Sequence, residues 1–156
     1  MVSDNPRSPS DIWFGIGLCY YRLGNLPKAK LSMDKTLELD PQNSMALVSI
    51  GIIEIASNIN DFDACEKAVH YFEKAFHENP RNPLAIKYLA EHYFYQKKYG
   101  LCKELSKAGL LVLSSKTKPE RCELPSFRVE IDILKSCFYF LQGKVCHVSG
   151  NFDEAF

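Results

Sequence analysis

The sequence predicts an all-α fold, a right-handed α-α superhelix (solenoid) of about three and a half repeats. Three observations carry this. Trp13, Ile16, Gly17, Tyr20, Ala29 and Met33 fall at helical spacings, and Pro41 stops the run because its ring and missing N–H disfavour further helix. The same residue types return as Leu47, Ile50, Gly51, Ala68, Phe72, Ala75 and Pro80. They return again as Ile86, Leu89, Ala90 and Tyr93. A helix pair that repeats in this way cannot bury its apolar face alone, so neighbouring pairs must stack.

Each residue type has a physical job. Trp13 and Ile16 lie about a turn apart and are expected to wedge between the paired helices, with Tyr20 continuing the stripe. Gly17 lets the second helix approach closely. Ala29 and Met33, at i and i+4, face back onto the first helix. This spacing resembles the tetratricopeptide (TPR) repeat, a helix–turn–helix unit of 34 residues.

The organisation follows in order. Residues 1–10 read as a disordered lead-in. Residues 11–43 form the first repeat, with Asp11–Leu23 as helix A and Pro27 near the start of helix B. Residues 44–82 form the second, opening on Ser44 as N-cap. Glu54 stands there where the first repeat has Tyr20. The 39 residues from Pro41 to Pro80 exceed the basic period by five, which the reading places in the turn around Ser57–Asp63. Residues 83–114 form a degenerate third repeat, begun by an Asn82 cap and Pro83 and continued by a helix B from about Tyr99 to Leu113. Residues 115–125 read as a loop. Residues 126–156 read as a long helix, capped by Ser126, and the start of a truncated fourth repeat whose helix B begins near Gly150. A repeat array cut in mid-unit is expected to belong to a longer protein.

Composition narrows the function. The 156 residues carry 19 basic and 19 acidic side chains, so bulk charge points to neither nucleic acid nor an anionic membrane. No run approaches the roughly 20 apolar residues that span a bilayer. The cysteines Cys19, Cys65, Cys102, Cys122, Cys137 and Cys146 include no Cys-x-x-Cys pair and are expected to be free, buried thiols of a reducing compartment. His70 and His77 share a helix face without a third ligand, and Cys146 and His147 diverge by about 100° on a helix. The sequence therefore predicts no catalytic residues, no metal site and no cofactor or small-molecule site.

The expected function is protein binding through helix A. Its residues not used for packing within the pair are Phe14, Leu18 and Tyr21 in the first repeat. In the second they are Met45, Val48, Ile52 and Ile55; in the third, Leu84, Tyr88, Phe94 and Tyr95. This set is apolar and aromatic. It fits an apolar helical segment of a partner, or it is covered by the chain's own helices, including the long helix after Ser126. Co-chaperone TPR domains hold a carboxylate tail with Lys, Asn and Arg at helix A positions. Here those slots hold Phe14, Leu18, Ser49, Leu84 and Lys87-Tyr88, so that clamp is not expected.

Four stretches narrow the resemblance. They are Trp13 to Ala29, Ala46-Leu47-Val48 with the helix after it, Asn82-Pro83 to Tyr99, and Ser136-Cys137 to Phe156. The most distinctive is His92-Tyr93-Phe94-Tyr95-Gln96-Lys97-Lys98-Tyr99. Together they resemble the TPR scaffold subunits of the RNA polymerase II-associated factor (PAF) complex, over most of residues 12–156 and least in the loop after Ser114. The resemblance implies a nuclear, non-catalytic scaffold that organises other PAF-complex subunits on elongating polymerase and supports histone modification. The alternative is a generic TPR adaptor of another assembly.

Overall fold

Asparagine and aspartate decide where most of the helices begin. The computed structural model describes residues 9–58, 61–116 and 125–150. These form seven helices: α1 (Pro9–Arg22), α2 (Leu26–Leu39), α3 (Ser44–Ser57), α4 (Phe62–Glu78), α5 (Pro83–Tyr95), α6 (Tyr99–Lys116) and α7 (Pro125–Ser149). No strand occurs among the described residues. The Asn25 side chain accepts from the Lys28 N–H at 3.2 Å and Asn43 from Ala46 at 3.0 Å. Asp61 accepts from Asp63 at 3.1 Å, and Asn82 from Leu84 and Ala85 at 3.0 and 3.3 Å. Each such oxygen satisfies a backbone donor that the first helical turn leaves orphaned.

One cap differs from expectation. Asn43, not Ser44, is the N-cap of α3. Ser44 instead donates its hydroxyl to the Ala75 carbonyl at 3.1 Å, tying the start of α3 to the end of α4. Helix limits also shift. Pro9 and Ser10 belong to α1, while the rest of the lead-in lies outside the described residues. α6 runs three residues past Leu113, and α7 opens on Pro125. The remaining loop, 117–124, and the fourth helix B, 151–156, lie outside the described residues. The extra length of the second pair is spread rather than looped out. α4 starts six residues before Ala68, whereas α2 starts three before Ala29, so most of the added chain extends helix B at its first turn.

The chain divides into two units, residues 1–79 and 80–156. In the first, α1 pairs with α2, α3 with α4, and α3 also lies on α2. Ala29 and Met33 of α2 and Ala46, Ile50 and Ile53 of α3 form one buried cluster. This corrects the wedge expectation for Trp13 and Ile16, which remain 39% and 37% exposed. Their counterparts Leu47 and Ile50 are fully buried. The difference is geometric: α3 packs on both α2 and α4, whereas α1 packs mainly on α2.

In the second unit, α5 pairs with α6, and α7 packs on both. Ala90, Cys102, Leu141 and Val145 form its buried cluster, edged by Tyr93, Phe94, Tyr99 and Leu105. The turn from α5 to α6 repeats the one from α1 to α2. The Lys98 N–H reaches the Tyr93 carbonyl at 2.9 Å, as Asn25 reaches Tyr20 at 2.9 Å. Lys97 sits at φ 60° where Gly24 sits at φ 74°.

Close helix approach depends on glycine at defined points. A Cβ at Gly51 would lie 2.6 Å from the Phe72 ring, and one at Gly109 would lie 2.3 Å from the Phe138 ring. At Gly17 the obstacle is the Met33 methyl at 2.7 Å, the mobile end of a flexible chain. Gly15, in the middle of α1, meets nothing within 4 Å among the described residues. Gly15→Ala should therefore stabilise the chain by about 0.5–1 kcal/mol through helix propensity. Gly109→Ala should destabilise it despite the same gain, because the buried ring must move. Urea unfolding of the two variants checks the opposite signs.

Candidate protein-docking surface

The helix A residues expected to bind a partner divide by burial. In the first unit, Leu18 and Tyr21 are each 39% exposed and Met45 is 43% exposed. Ile52 and Ile55 are half-buried. Two residues do not line a free surface. Val48 is 1% exposed, because α3 has lost most of its perimeter to α2 and α4. Phe14 is half-buried and packs against the Ala29–Met33–Ile50 cluster, so its ring supports the fold. In the second unit, Leu84, Tyr88 and Phe94 are half-buried and Tyr95 projects from the end of α5.

Charged side chains frame these positions. Glu54, which replaced tyrosine in the repeat pattern, forms an ion pair with Lys30, linking α3 to α2. That hydrogen bond, with the Glu54 charge, raises the Lys30 pKa. Asp34, one turn further along α2, is pushed above the usual carboxylate range by burial, an effect offset in part by Lys30. A carboxyl whose folded pKa exceeds its unfolded one stabilises below the unfolded value and loses that contribution as pH rises through the folded value. Asp34→Asn should therefore stabilise the chain slightly at neutral pH, by well under ~1 kcal/mol after solvent screening, and raise Tm accordingly. The gain should shrink on acidification, which thermal melts at several pH values would read. On α5, Lys87 pairs with Glu91 at 3.0 Å, and its ammonium lies 4.1 Å from the centre of the Tyr88 ring.

The cysteines differ from expectation. Cys102 and Cys146 are buried, but Cys19 and Cys65 are exposed and Cys137 is intermediate. Cys122 lies outside the described residues. Burial pushes the Cys102 thiol pKa up. Among the described residues, no group of three or more His, Cys, Asp or Glu side chains is placed to hold a metal ion. No helix is long and apolar enough to cross a membrane, again among the described residues.

Two exposed features escaped the helix A pattern. Ile12, Ile16 and Cys19 of α1, with Leu23 just after it, line a shallow apolar depression around Gly15. On α7, Tyr139 and Phe140 are 62% and 64% exposed, and Lys144 lies over the Phe140 ring at 4.5 Å. The signal for the second was the i, i+4 spacing of Phe140 and Lys144.

The geometry agrees with comparison to known proteins. Residues 10–43 match the tetratricopeptide repeat family. The CTR9 homolog of Arabidopsis thaliana is 37% identical over 107 residues, covering 69% of this chain and 10% of that protein. The RNA polymerase-associated protein CTR9 of Caenorhabditis elegans is 28% identical over 147 residues, covering 94% of this chain and 11% of that one. The chain is thus similar in sequence to CTR9 proteins and carries a tetratricopeptide repeat. It spans about a tenth of the length of the curated relatives it matches. The crystal structure of MamA superposes with a TM-score of 0.62 at 17% identity, covering 96% of this chain and 74% of that one. That likeness concerns the fold, an all-α solenoid of TPR type.

Proposed function

We propose that this chain is part of a nuclear scaffold that holds subunits of an RNA polymerase II-associated complex together, itself making and breaking no bond. The observation that carries the proposal is the match to an RNA polymerase-associated relative across 94% of the chain, which reaches all the helices rather than one generic repeat. The exposed apolar positions of helix A support it. Leu18, Tyr21 and Met45, with the half-buried Ile52 and Ile55, offer an apolar helix of a partner subunit a surface to cover. In such an assembly the scaffold would support histone modification by placing other proteins, not by catalysis.

Affinity purification of the full-length protein from nuclear extract tests this. The expected result is stoichiometric recovery of PAF-complex subunits together with RNA polymerase II. Recovery of a different assembly, with those subunits absent, would show a generic TPR adaptor instead.

A further inference from the structure

Lys144 reaches from α7 toward α5 and ends between two aromatic rings. Its ammonium is 4.5 Å from the centre of Phe140 and 5.4 Å from that of Phe94. A few residues away in the α5–α6 turn, Lys98 lies 5.7 Å from the centre of Tyr93. Phe94 meets Tyr95 edge-on at 5.8 Å and Tyr99 at 5.7 Å. The end of α5 and the middle of α7 thus form an aromatic corner carrying two cations.

Neither cation is neutralised by a described residue. Among the described residues, no carboxylate stands within ion-pair distance of Lys98 or Lys144, and Glu91 of α5 is held by Lys87. The corner is also uncovered: Tyr95 is 77% exposed and Phe140 is 64% exposed. Large exposed aromatics are enriched at protein interfaces, whose rims carry polar groups. The charge selects the partner. A ring face holds a lysine in place by attraction to its π cloud without neutralising its charge, so the ammonium keeps N–H donors for an anion.

We propose that this corner of α5 and α7 docks an acidic peptide segment, its carboxylates meeting Lys144 and Lys98 and a large apolar side chain lying on Tyr95 and Phe140. The inference deepens the scaffold reading and rests on it, since it assigns one point on the surface a partner chemistry. A peptide is favoured over RNA because the chain has zero formal net charge and the corner offers two cations, whereas a nucleic-acid track needs a longer basic run.

An NMR chemical-shift titration of the chain tests it. The probe is a short synthetic peptide with glutamates flanking a Leu-Phe pair. Controls are the same peptide with lysines for glutamates, and oligouridylate. The acidic peptide should give saturable shifts at residues 93–99 and 140–144 that weaken as salt is raised. Lys144→Gln should weaken binding at least about fivefold, while Lys144→Arg should retain it. Phe140→Ala should weaken it too; melts of each variant should stay within about 1 kcal/mol of wild type, because Phe140 is 64% exposed and a cation–π contact at a partly exposed lysine contributes about that much. Absence of shifts, affinity unchanged by Lys144→Gln, or tighter binding of oligouridylate or the lysine peptide would overturn the inference. If the peptide fails while the full-length protein still co-purifies with PAF-complex subunits, the corner alone is refuted and the scaffold reading stands.

Discussion

Phe72→Ala should destabilise the chain by about 3–5 kcal/mol, a large share of the roughly 5–15 kcal/mol that holds a typical domain folded. The Phe72 ring of α4 is 2% exposed and sits against Gly51 of α3 with no room for a side chain between them. Truncation removes buried apolar surface and leaves a cavity that two paired helices cannot close without moving. The second half of the prediction is more specific. Gly51→Ala alone should destabilise, because its Cβ would stand 2.6 Å from the ring. In the Phe72→Ala background the same change should become neutral or stabilising. The methyl then enters vacated space and the helix gains about 1 kcal/mol from losing a glycine. A double-mutant cycle in urea reads the coupling, which should exceed about 1 kcal/mol with that sign. Additive effects would mean that Gly51 and Phe72 do not form the contact described.

The second large effect concerns binding. Leu18→Asp combined with Met45→Asp should abolish co-purification of the full-length protein with its complex while leaving the melt of the chain nearly unchanged. Both side chains are exposed by about two-fifths, Leu18 on α1 and Met45 on α3, the two A helices of the first unit. A charge placed against an apolar partner helix must be desolvated without a counter-ion, which costs several kcal/mol. Phe14→Asp would be a poor version of this experiment, because Phe14 packs into the Ala29–Met33–Ile50 cluster and its loss would unfold the first unit. Retention of partners by the double variant would move the docking surface elsewhere.

The helix-pair architecture could be read from the chain because its signals are local. A glycine facing a large apolar residue across a pair recurs as Gly17 with Met33 and Gly51 with Phe72. What the sequence hid depends on neighbours. Trp13 and Leu47 share a slot, yet the first is exposed and the second buried, since α3 packs on both α2 and α4 while α1 packs mainly on α2. Val48 reads as a groove residue by spacing and is buried for the same reason. Glu54 reads as a departure from the pattern until Lys30 is found opposite it on α2. The five added residues of the second pair look like a turn insertion in the sequence. An Asp61 cap and helix-forming text after it let most of them join α4. The aromatic corner was half visible. Phe94 and Tyr95 follow from helix A spacing, but the Lys144 that lies over Phe94 comes from α7, about fifty residues later.

Hydrogen exchange of the full-length protein, free and assembled in its complex, tests the central claim most directly. Entry of a partner onto the helix A surface should slow exchange in α1 and α3 around Leu18–Arg22 and Met45–Ile55, with α2 and the outward face of α4 little changed. Protection confined to α2 and α4, or exchange identical in the two states throughout residues 9–79, would contradict it.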